Sequence, residues 1–264
     1  MQIAQLAVFH NTMLSYLYDD HKGAPLSFLR NLHDLSHYSL LAADGEIGRI
    51  RALFFDDATG DVRYLMVASP GWFQGQPMLI SPIAVGEVSD SRKTISIELT
   101  REQIASAPRF NPDRPISRAY EQAYFEHYNW PAYWEQANGT VKPSAQPPVG
   151  SSNEAVGLCN SQHCTGVDVL ADQSIVGRLE QLIVDVQYWQ LRYLVINTCG
   201  LVEDKTLLIN LGWVERMDLQ RKRVRINIHR QVIQHAPSFD PGKPISRAYE
   251  EKLFNYHMRQ PYWL

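Results

Sequence analysis

An internal repeat constrains this 264-residue chain more than any other feature of its sequence. Residues 115–121, Pro-Ile-Ser-Arg-Ala-Tyr-Glu, return unchanged as residues 244–250, which lie 129 positions further along the chain. The same offset relates the Arg-Tyr-Leu of residues 63–65 to that of residues 192–194, and residues 47–128 need no insertion or deletion to match. A register held over such a length indicates two copies of one structural module.

A segment rich in proline and small polar residues separates the two copies. It includes Pro143, Pro147 and Pro148 and few large apolar side chains, a composition typical of linkers. The predicted organisation is therefore a first module, a linker and a second module, at residues 27–134, 135–155 and 156–264.

Each copy carries the patterns of short β-strands. Residues 94–100 alternate strictly between polar and apolar, and residues 223–229 repeat the alternation. Residues 62–68 and 191–197 are nearly continuous apolar runs with β-branched and aromatic residues, as buried strands are. Several short strands that bury one face and must hide their edges favour a small closed or nearly closed barrel.

A short helix is predicted to follow the strands of each copy. Ser117 and Ser246 precede it, and a serine side chain at the N-cap accepts a hydrogen bond from a free amide of the first turn. One face of the first helix carries a stripe at a spacing of four, namely Ile116, Tyr120, Tyr124 and Tyr128. We expect this stripe to pack against the strands rather than to form a ligand-binding aromatic box. The predicted fold is mainly β: two small antiparallel barrels, each with a C-terminal helix, in a pseudo-twofold tandem.

The ordered motifs of each copy resemble those of the PRC-barrel family. The series begins with an Asp-Gly turn and a Gly-Arg strand at residues 44–49, followed by Arg-Tyr-Leu at residues 63–65 and Leu-Ile at residues 79–80. It ends with Ala-Pro-x-Phe-x-Pro-x-x-Pro-Ile-Ser-Arg at residues 107–118. Because the series occurs twice, the chain resembles a tandem PRC-barrel protein.

The resemblance implies small antiparallel β-barrels that contact partners and support assembly and do not catalyse a reaction. The family includes the cytoplasmic part of the photosynthetic reaction-centre H subunit and a ribosome maturation factor. This chain shows neither the membrane helix of the first nor the additional N-terminal barrel of the second. It is more similar to uncharacterised bacterial tandem PRC-barrel proteins, and function has to be argued from its own sites.

Composition argues against several classes of function. Lys and Arg number 25 against 28 Asp and Glu, a formal net charge of -3, so a generally basic nucleic-acid binder is not expected. Three cysteines cannot form a disulfide framework and fit a reducing compartment. No stretch approaches the roughly 20 apolar residues of a membrane span. We therefore expect a cytoplasmic protein without a membrane span.

Motifs for catalysis and cofactor binding are absent from the sequence, which lacks G-x-G-x-x-G, the P-loop, G-x-S-x-G and H-E-x-x-H. We therefore predict no enzyme activity and no cofactor. Cys159, His163 and Cys164 are weak candidates for a metal site, but structural zinc needs four ligands and no second pair follows. His33 and His37, four residues apart, are a weaker pair still.

A basic run in the second copy includes Arg221, Arg223 and Arg225. Alternation places Arg223 and Arg225 on the solvent side of a strand, where the first copy has Thr94 and Ser96. The favoured interpretation is an exposed edge strand that charge protects from aggregation. An acidic protein partner is the next interpretation and nucleic acid the last.

Large aromatic side chains occupy different loops in the two copies: Trp72 and Phe73 in the first, Tyr188 and Trp189 in the second. Exposed apolar groups on turns often mark interfaces unless something covers them. Internal packing and self-association as a homodimer are both left open.

Partner binding or assembly support without catalysis is the favoured functional hypothesis, although the sequence does not identify a partner. The first alternative is a sensor that binds a small molecule or metal in the cleft between the barrels. The second is an RNA- or ribosome-associated factor that uses the basic strand.

Overall fold

A computed structural model of the chain describes residues 28–69, 71, 73–134, 155–200 and 204–264. It contains two seven-stranded sheets with the same strand arrangement, and a ten-residue helix follows the strands in each half. The predicted mainly β fold of two similar halves is confirmed. The predicted linker, apart from its last residue, lies outside the described residues.

The strands of the first half are β1 (Leu29–Asn31), β2 (Ser39–Ala42), β3 (Gly45–Phe55), β4 (Val62–Ala68), β5 (Met78–Ile80), β6 (Val85–Ser89) and β7 (Thr94–Ile97). Those of the second half are β8 (Cys159–Asn160), β9 (Asp168–Ala171), β10 (Ser174–Asp185), β11 (Gln190–Thr198), β12 (Thr206–Asn210), β13 (Val214–Asp218) and β14 (Arg223–Ile226). The α-helices are α1 (Leu32–Leu35), α2 (Arg101–Ala105), α3 (Arg118–His127), α4 (Arg230–His235) and α5 (Arg247–Tyr256). Short 3₁₀ turns lie at Phe73–Gly75, Pro82–Ala84, Ser161–His163 and Leu211–Trp213.

Both sheets follow one topology. The strand order is β5-β4-β3-β2-β7-β6 in the first and β12-β11-β10-β9-β14-β13 in the second. The strand pairs are antiparallel except β2 with β7 and β9 with β14, so each sheet is mixed. Ser117 and Ser246 cap α3 and α5 as predicted, since each side chain accepts from a backbone amide of the first turn.

The repeated Gly-Arg pair has a packing reason. A Cβ atom at Gly48 would lie 2.4 Å from the carbonyl oxygen of Ala68, and one at Gly177 would lie 2.4 Å from that of Asn197. A side chain at either position would push the two longest strands of its sheet apart. Glycine is therefore required twice, at equivalent places.

The two halves exchange their first strands. β1 of the first half pairs with β10 in the second sheet, and β8 of the second half pairs with β3 in the first sheet. The register is symmetric: Arg30 lies opposite Val184, and Cys159, 129 positions after Arg30, lies opposite Phe55, 129 positions before Val184. Each sheet is therefore completed by a strand from the other half.

A second contact lies on the same pseudo-twofold axis. Asp61 and Gln190, themselves 129 positions apart, form an isolated antiparallel bridge. Around it, the Val62 amide donates to the Trp189 carbonyl at 2.9 Å, and the Leu191 amide donates to the Gly60 carbonyl at 2.7 Å. The bridge and the exchanged strands make the halves one interlocked structure.

Side chains reinforce the exchange. The Ser161 hydroxyl oxygen accepts from the buried Leu53 amide at 2.9 Å, and the Asn31 side chain donates to that of Gln181. One hydrophobic cluster contains buried residues of both halves, among them Leu53 and its equivalent Leu182. The core is therefore continuous across the pseudo-twofold axis.

Replacing Ser161 by alanine tests the exchanged segment. We expect the free energy of unfolding to fall by about 1–3 kcal/mol, because the buried Leu53 amide loses its acceptor. Ser238→Ala, at an exposed serine, is the control and should change it by less than about 0.5 kcal/mol. Denaturant unfolding measures both, and equal stability of the two variants would contradict the assignment.

Candidate functional site

Each half buries one glutamate between its last helix and its sheet. The Glu121 side chain on α3 is fully buried and accepts hydrogen bonds from the hydroxyls of Tyr64, at 3.0 Å, and Tyr133, at 2.9 Å. Arg118, one turn earlier on the helix, donates to the other carboxylate oxygen at 2.6 Å. We call these four residues the glutamate cluster. It fastens the helix to β4.

The second half repeats the glutamate cluster. Glu250 accepts from the hydroxyls of Tyr193, at 2.7 Å, and Tyr262, at 2.8 Å, and pairs with Arg247 at 3.1 Å. The two longest repeats of the sequence thus have one explanation. Arg-Tyr-Leu supplies the strand tyrosine, and Pro-Ile-Ser-Arg-Ala-Tyr-Glu supplies the helix cap, the arginine and the glutamate.

Arginines stack on the aromatic residues that end each copy. Arg63 lies 4.0 Å from the ring centroid of Tyr133, and Arg118 lies 4.2 Å from that of Trp134. The equivalent stacks in the second half join Arg192 to Tyr262 at 4.2 Å and Arg247 to Trp263 at 4.0 Å. These cation–π contacts cover the glutamate cluster and hold the C-terminal residues of each copy against its helix and sheet.

The glutamate cluster contains a buried acid whose two carboxylate oxygens both accept hydrogen bonds. Burial raises the pKa of the Glu121 carboxyl, and Arg118 and the two tyrosine hydroxyls oppose that rise. Burial also raises the pKa of Tyr64 and Tyr133, and the neighbouring carboxylate adds to it. Both Glu121 oxygens already have donors, so the cluster is a structural tie that a substrate does not reach.

The tyrosine stripe of α3 packs on the sheet, as predicted. Tyr124 is 1% exposed, and its hydroxyl accepts from the Ser81 amide at 3.0 Å and donates to the Leu79 carbonyl at 3.1 Å. Tyr120 stacks on Tyr124, with ring centroids 6.1 Å apart. The stripe belongs to the core.

The weak metal candidates lie on the exchanged segment. Cys159 is in β8 and Cys164 follows the 3₁₀ turn, and burial raises the pKa of both thiols to about 12. A raised pKa disfavours the thiolate that a metal requires. Across the described residues, no three His, Cys, Asp or Glu side chains gather closely enough to hold a metal ion. The exposed His33 and His37 rings contact each other edge to face, with centroids 5.0 Å apart.

The four loop aromatics have different environments. Trp72 lies outside the described residues, and Phe73 is partly buried against the core. Trp189 is 6% exposed and sits at the bridge between the halves, whereas Tyr188 is 61% exposed. Within the described part of this set, only Tyr188 presents a large aromatic surface to solvent.

The basic strand alternates as predicted, but it is not at an edge. Arg223 and Arg225 are exposed, while Val224 and Ile226, which alternate with them, are buried. β14 pairs with β13 on one side and with β9 on the other. The favoured interpretation, an edge strand that charge protects from aggregation, is therefore wrong. The alternation shows which face of β14 is exposed but not which strands lie beside it, and the parallel pairing with β9 places β14 inside the sheet.

Neighbouring strands extend this row into a basic face. It comprises Arg178, Arg216, Arg221, Arg223 and Arg225, together with the acidic residues Asp168 and Asp218. Arg216 and Arg225 lie directly opposite each other on β13 and β14. Asp218 pairs with Arg216 at 3.8 Å and with Arg221 at 3.4 Å, and Asp168 pairs with Arg178 at 3.4 Å. Two carboxylates thus face five arginines, and positive charge is left in excess.

The first half keeps only two of these five arginines at the equivalent positions, Arg49 and Arg92. Glu87, Thr94 and Ser96 stand where the second half has Arg216, Arg223 and Arg225. Glu87 pairs with Arg92 at 2.8 Å, and the Ser96 hydroxyl oxygen accepts from the Glu87 amide at 2.6 Å. The same fold forms without arginine at these three positions, so the fold does not require Arg216, Arg223 and Arg225.

Comparison with known proteins supports the PRC-barrel assignment for the strands of the first copy. The PRC-barrel domain model matches residues 30–104, which contain the strands of the first sheet from β2 to β7. Residues 30–104 are a PRC-barrel domain. A 93-residue stretch is also 30% identical to an uncharacterized protein of Deinococcus radiodurans and covers 33% of each chain. The chain thus spans about a third of the length of that relative.

The second half shares the strand order of the PRC-barrel domain, although the family match itself ends at residue 104. In the part of the chain that the structure describes, no helix has the length and apolar character needed to cross a membrane.

The pH dependence of the free energy of unfolding tests the glutamate cluster of the first half. Because the pKa of Glu121 is raised above its ordinary 4.5, the folded state keeps the carboxyl proton at pH values where the unfolded chain has lost it. The stability that this proton contributes is complete below the unfolded-state pKa and is lost as the pH rises through the folded-state pKa.

Glu121→Gln keeps a neutral group at every pH. Its free energy of unfolding relative to the unmodified protein is therefore expected to rise as the pH increases from about 4 to 7. Denaturant unfolding over that range measures the difference, and Glu126→Gln, exposed on the same helix, is the charge-matched control. A relative stability that falls with rising pH would contradict the prediction.

Trp189 lies at the contact between the PRC-barrel domain and the second half. Replacing it tests whether this side chain packs inside the chain or forms an interface with a second copy. We expect Trp189→Ala to lower the free energy of unfolding by about 3–5 kcal/mol, the usual cost of removing a buried tryptophan. Tyr188→Ala, next to it and exposed, is the control and should leave stability within about 0.5 kcal/mol. Thermal and denaturant unfolding check both, and a stable Trp189→Ala protein of lower oligomeric mass would favour an interface.

Proposed function

We propose that this protein is a non-enzymatic, cytoplasmic binding module and that its basic face docks an acidic protein partner. The PRC-barrel domain supports a role in binding or assembly. The cysteines that the structure describes are free thiols, which fits a reducing compartment.

One observation carries the proposal: Arg216 and Arg225 lie directly opposite each other on adjacent strands. Like charges at directly opposed positions destabilise a sheet. The fold does not require them, because the first half has Glu87 and Ser96 there, and an inner strand needs no edge protection. An external anion that binds both guanidinium groups would relieve the repulsion.

The surroundings of the arginines favour a protein over a nucleic acid. Asp168 and Asp218 lie between the arginines, so the positive charge is interrupted, and separate carboxylates on a protein fit it better than the unbroken charge of a phosphate backbone. Leu170 lies beside Arg225, and Ile175, 46% exposed, lies beside Leu170. A partner surface with carboxylates next to an apolar side chain fits this arrangement, because arginine binds carboxylates in a two-pronged geometry.

A double variant tests the face. We expect Arg223→Ser with Arg225→Ser to weaken partner binding roughly tenfold, because two charge pairs are lost at the interface. Arg109→Ser with Arg114→Ser removes the same charge from exposed positions of the first half and should leave binding unchanged. Native mass spectrometry of protein purified gently from its own cells identifies the partner, and titration at several salt concentrations measures the affinity.

The outcomes of this experiment differ clearly. Loss of an acidic protein from the double variant alone, with affinity that falls as salt increases, agrees with the proposal. Retention of the partner by the double variant refutes the assigned face. Bound RNA that the double variant loses would favour the nucleic-acid alternative instead.

A further inference from the structure

The exchange of strands creates a groove on the pseudo-twofold axis. Its walls are α1 from the first half and the 3₁₀ turn Ser161–His163 from the second, and β3 and β10 lie beneath them. The groove has a volume of about 360 Å³, within the range of roughly 300–1,000 Å³ typical of small-molecule sites. It is lined from both halves.

The lining consists of equivalent pairs. His33 and Gln162 are 129 positions apart, as are Ser36 and Thr165, and all four contribute to the groove. Hydrogen bonds hold the walls in place: the Asn31 side chain donates to Gln181, and the Gln162 side-chain amide donates to the Arg51 carbonyl at 3.4 Å. The groove is therefore formed before any ligand arrives.

At one pair of equivalent positions, the two halves place side chains of opposite charge in the groove. Arg51 on β3 and Glu180 on β10 both line the groove, and they too are 129 positions apart. Arg51 is exposed and Glu180 is half-buried. In the described residues neither side chain forms an ion pair, with the other or with any further group. The groove therefore presents one positive and one negative group that are both available.

We propose that the groove binds a small zwitterion, a free amino acid or a short peptide with free ends. Its carboxylate would pair with Arg51 and its ammonium group with Glu180. A simple anion would be repelled by Glu180 and a simple cation by Arg51, so the charge pair selects a molecule that carries both signs. The hydroxyl and amide groups of Ser36, Gln162 and Thr165 supply uncharged hydrogen-bonding partners. This site shares no residue with the proposed protein-docking face.

The dipeptide alanyl-alanine is the probe, and isothermal titration calorimetry of the full chain is the measurement. We expect binding of alanyl-alanine but not of its N-acetylated or C-amidated forms, each of which lacks one of the two charges. Arg51→Gln and Glu180→Gln should each weaken binding at least about tenfold. Arg49→Gln, an exposed arginine two residues away on β3 that does not line the groove, should bind as the unmodified protein does.

The pseudo-twofold axis provides a stricter test. Exchanging the charges in the double variant Arg51→Glu with Glu180→Arg places the same pair in the groove in reversed order. We expect this variant to regain binding lost by the single variants, with the ligand turned around. Thermal unfolding of every variant confirms that it is folded.

Three results would overturn the proposal: no binding of alanyl-alanine to the unmodified protein at millimolar concentration, equal binding of the blocked dipeptides, or a folded charge-exchanged variant that does not bind.

Discussion

The exchange of β1 and β8 is the contact on which the rest of this structure depends. Each is only two or three residues long, yet each completes the sheet of the opposite half. The exchange brings α1 and the 3₁₀ turn Ser161–His163 together over the pseudo-twofold axis, and one hydrophobic cluster that includes Leu53 and Leu182 extends through both halves. Two similar modules on a flexible linker would have none of these features. The groove exists because the modules are interlocked.

Much of the fold was accessible from the sequence, because repeat, alternation and capping are local signals. Strict alternation identified β7 and β14, and the serines before α3 and α5 identified the helix starts. The exchange was not accessible, because strands of two or three residues carry no measurable alternation. The neighbour of β14 was missed for a related reason. Its parallel pairing with β9 joins segments distant in sequence, and the alternation of one strand does not reveal which strands lie beside it.

Comparison of the two copies separates residues that hold the fold from residues free to act. The identical positions include Tyr64, Arg118 and Glu121, which form the glutamate cluster in the first half as their counterparts do in the second. A carboxylate buried against two tyrosines and an arginine tolerates little change, since loss of any partner leaves a buried polar group without its hydrogen bond. The repeated motifs therefore mark structure, even though a buried acid with a raised pKa resembles a catalytic group.

Positions that differ between the copies carry both proposals. On the outer face of the sheet, Glu87 in the first half is replaced by Arg216 in the second. In the groove on the axis, Arg51 in the first half is replaced by Glu180 in the second. A perfectly symmetric pair would present two equal faces and a groove with like charges on both sides. The observed differences give one basic face per chain and a groove with a defined direction. Pseudo-symmetry thus builds the frame, and departures from it are the basis of both the proposed docking face and the proposed orientation of a zwitterion.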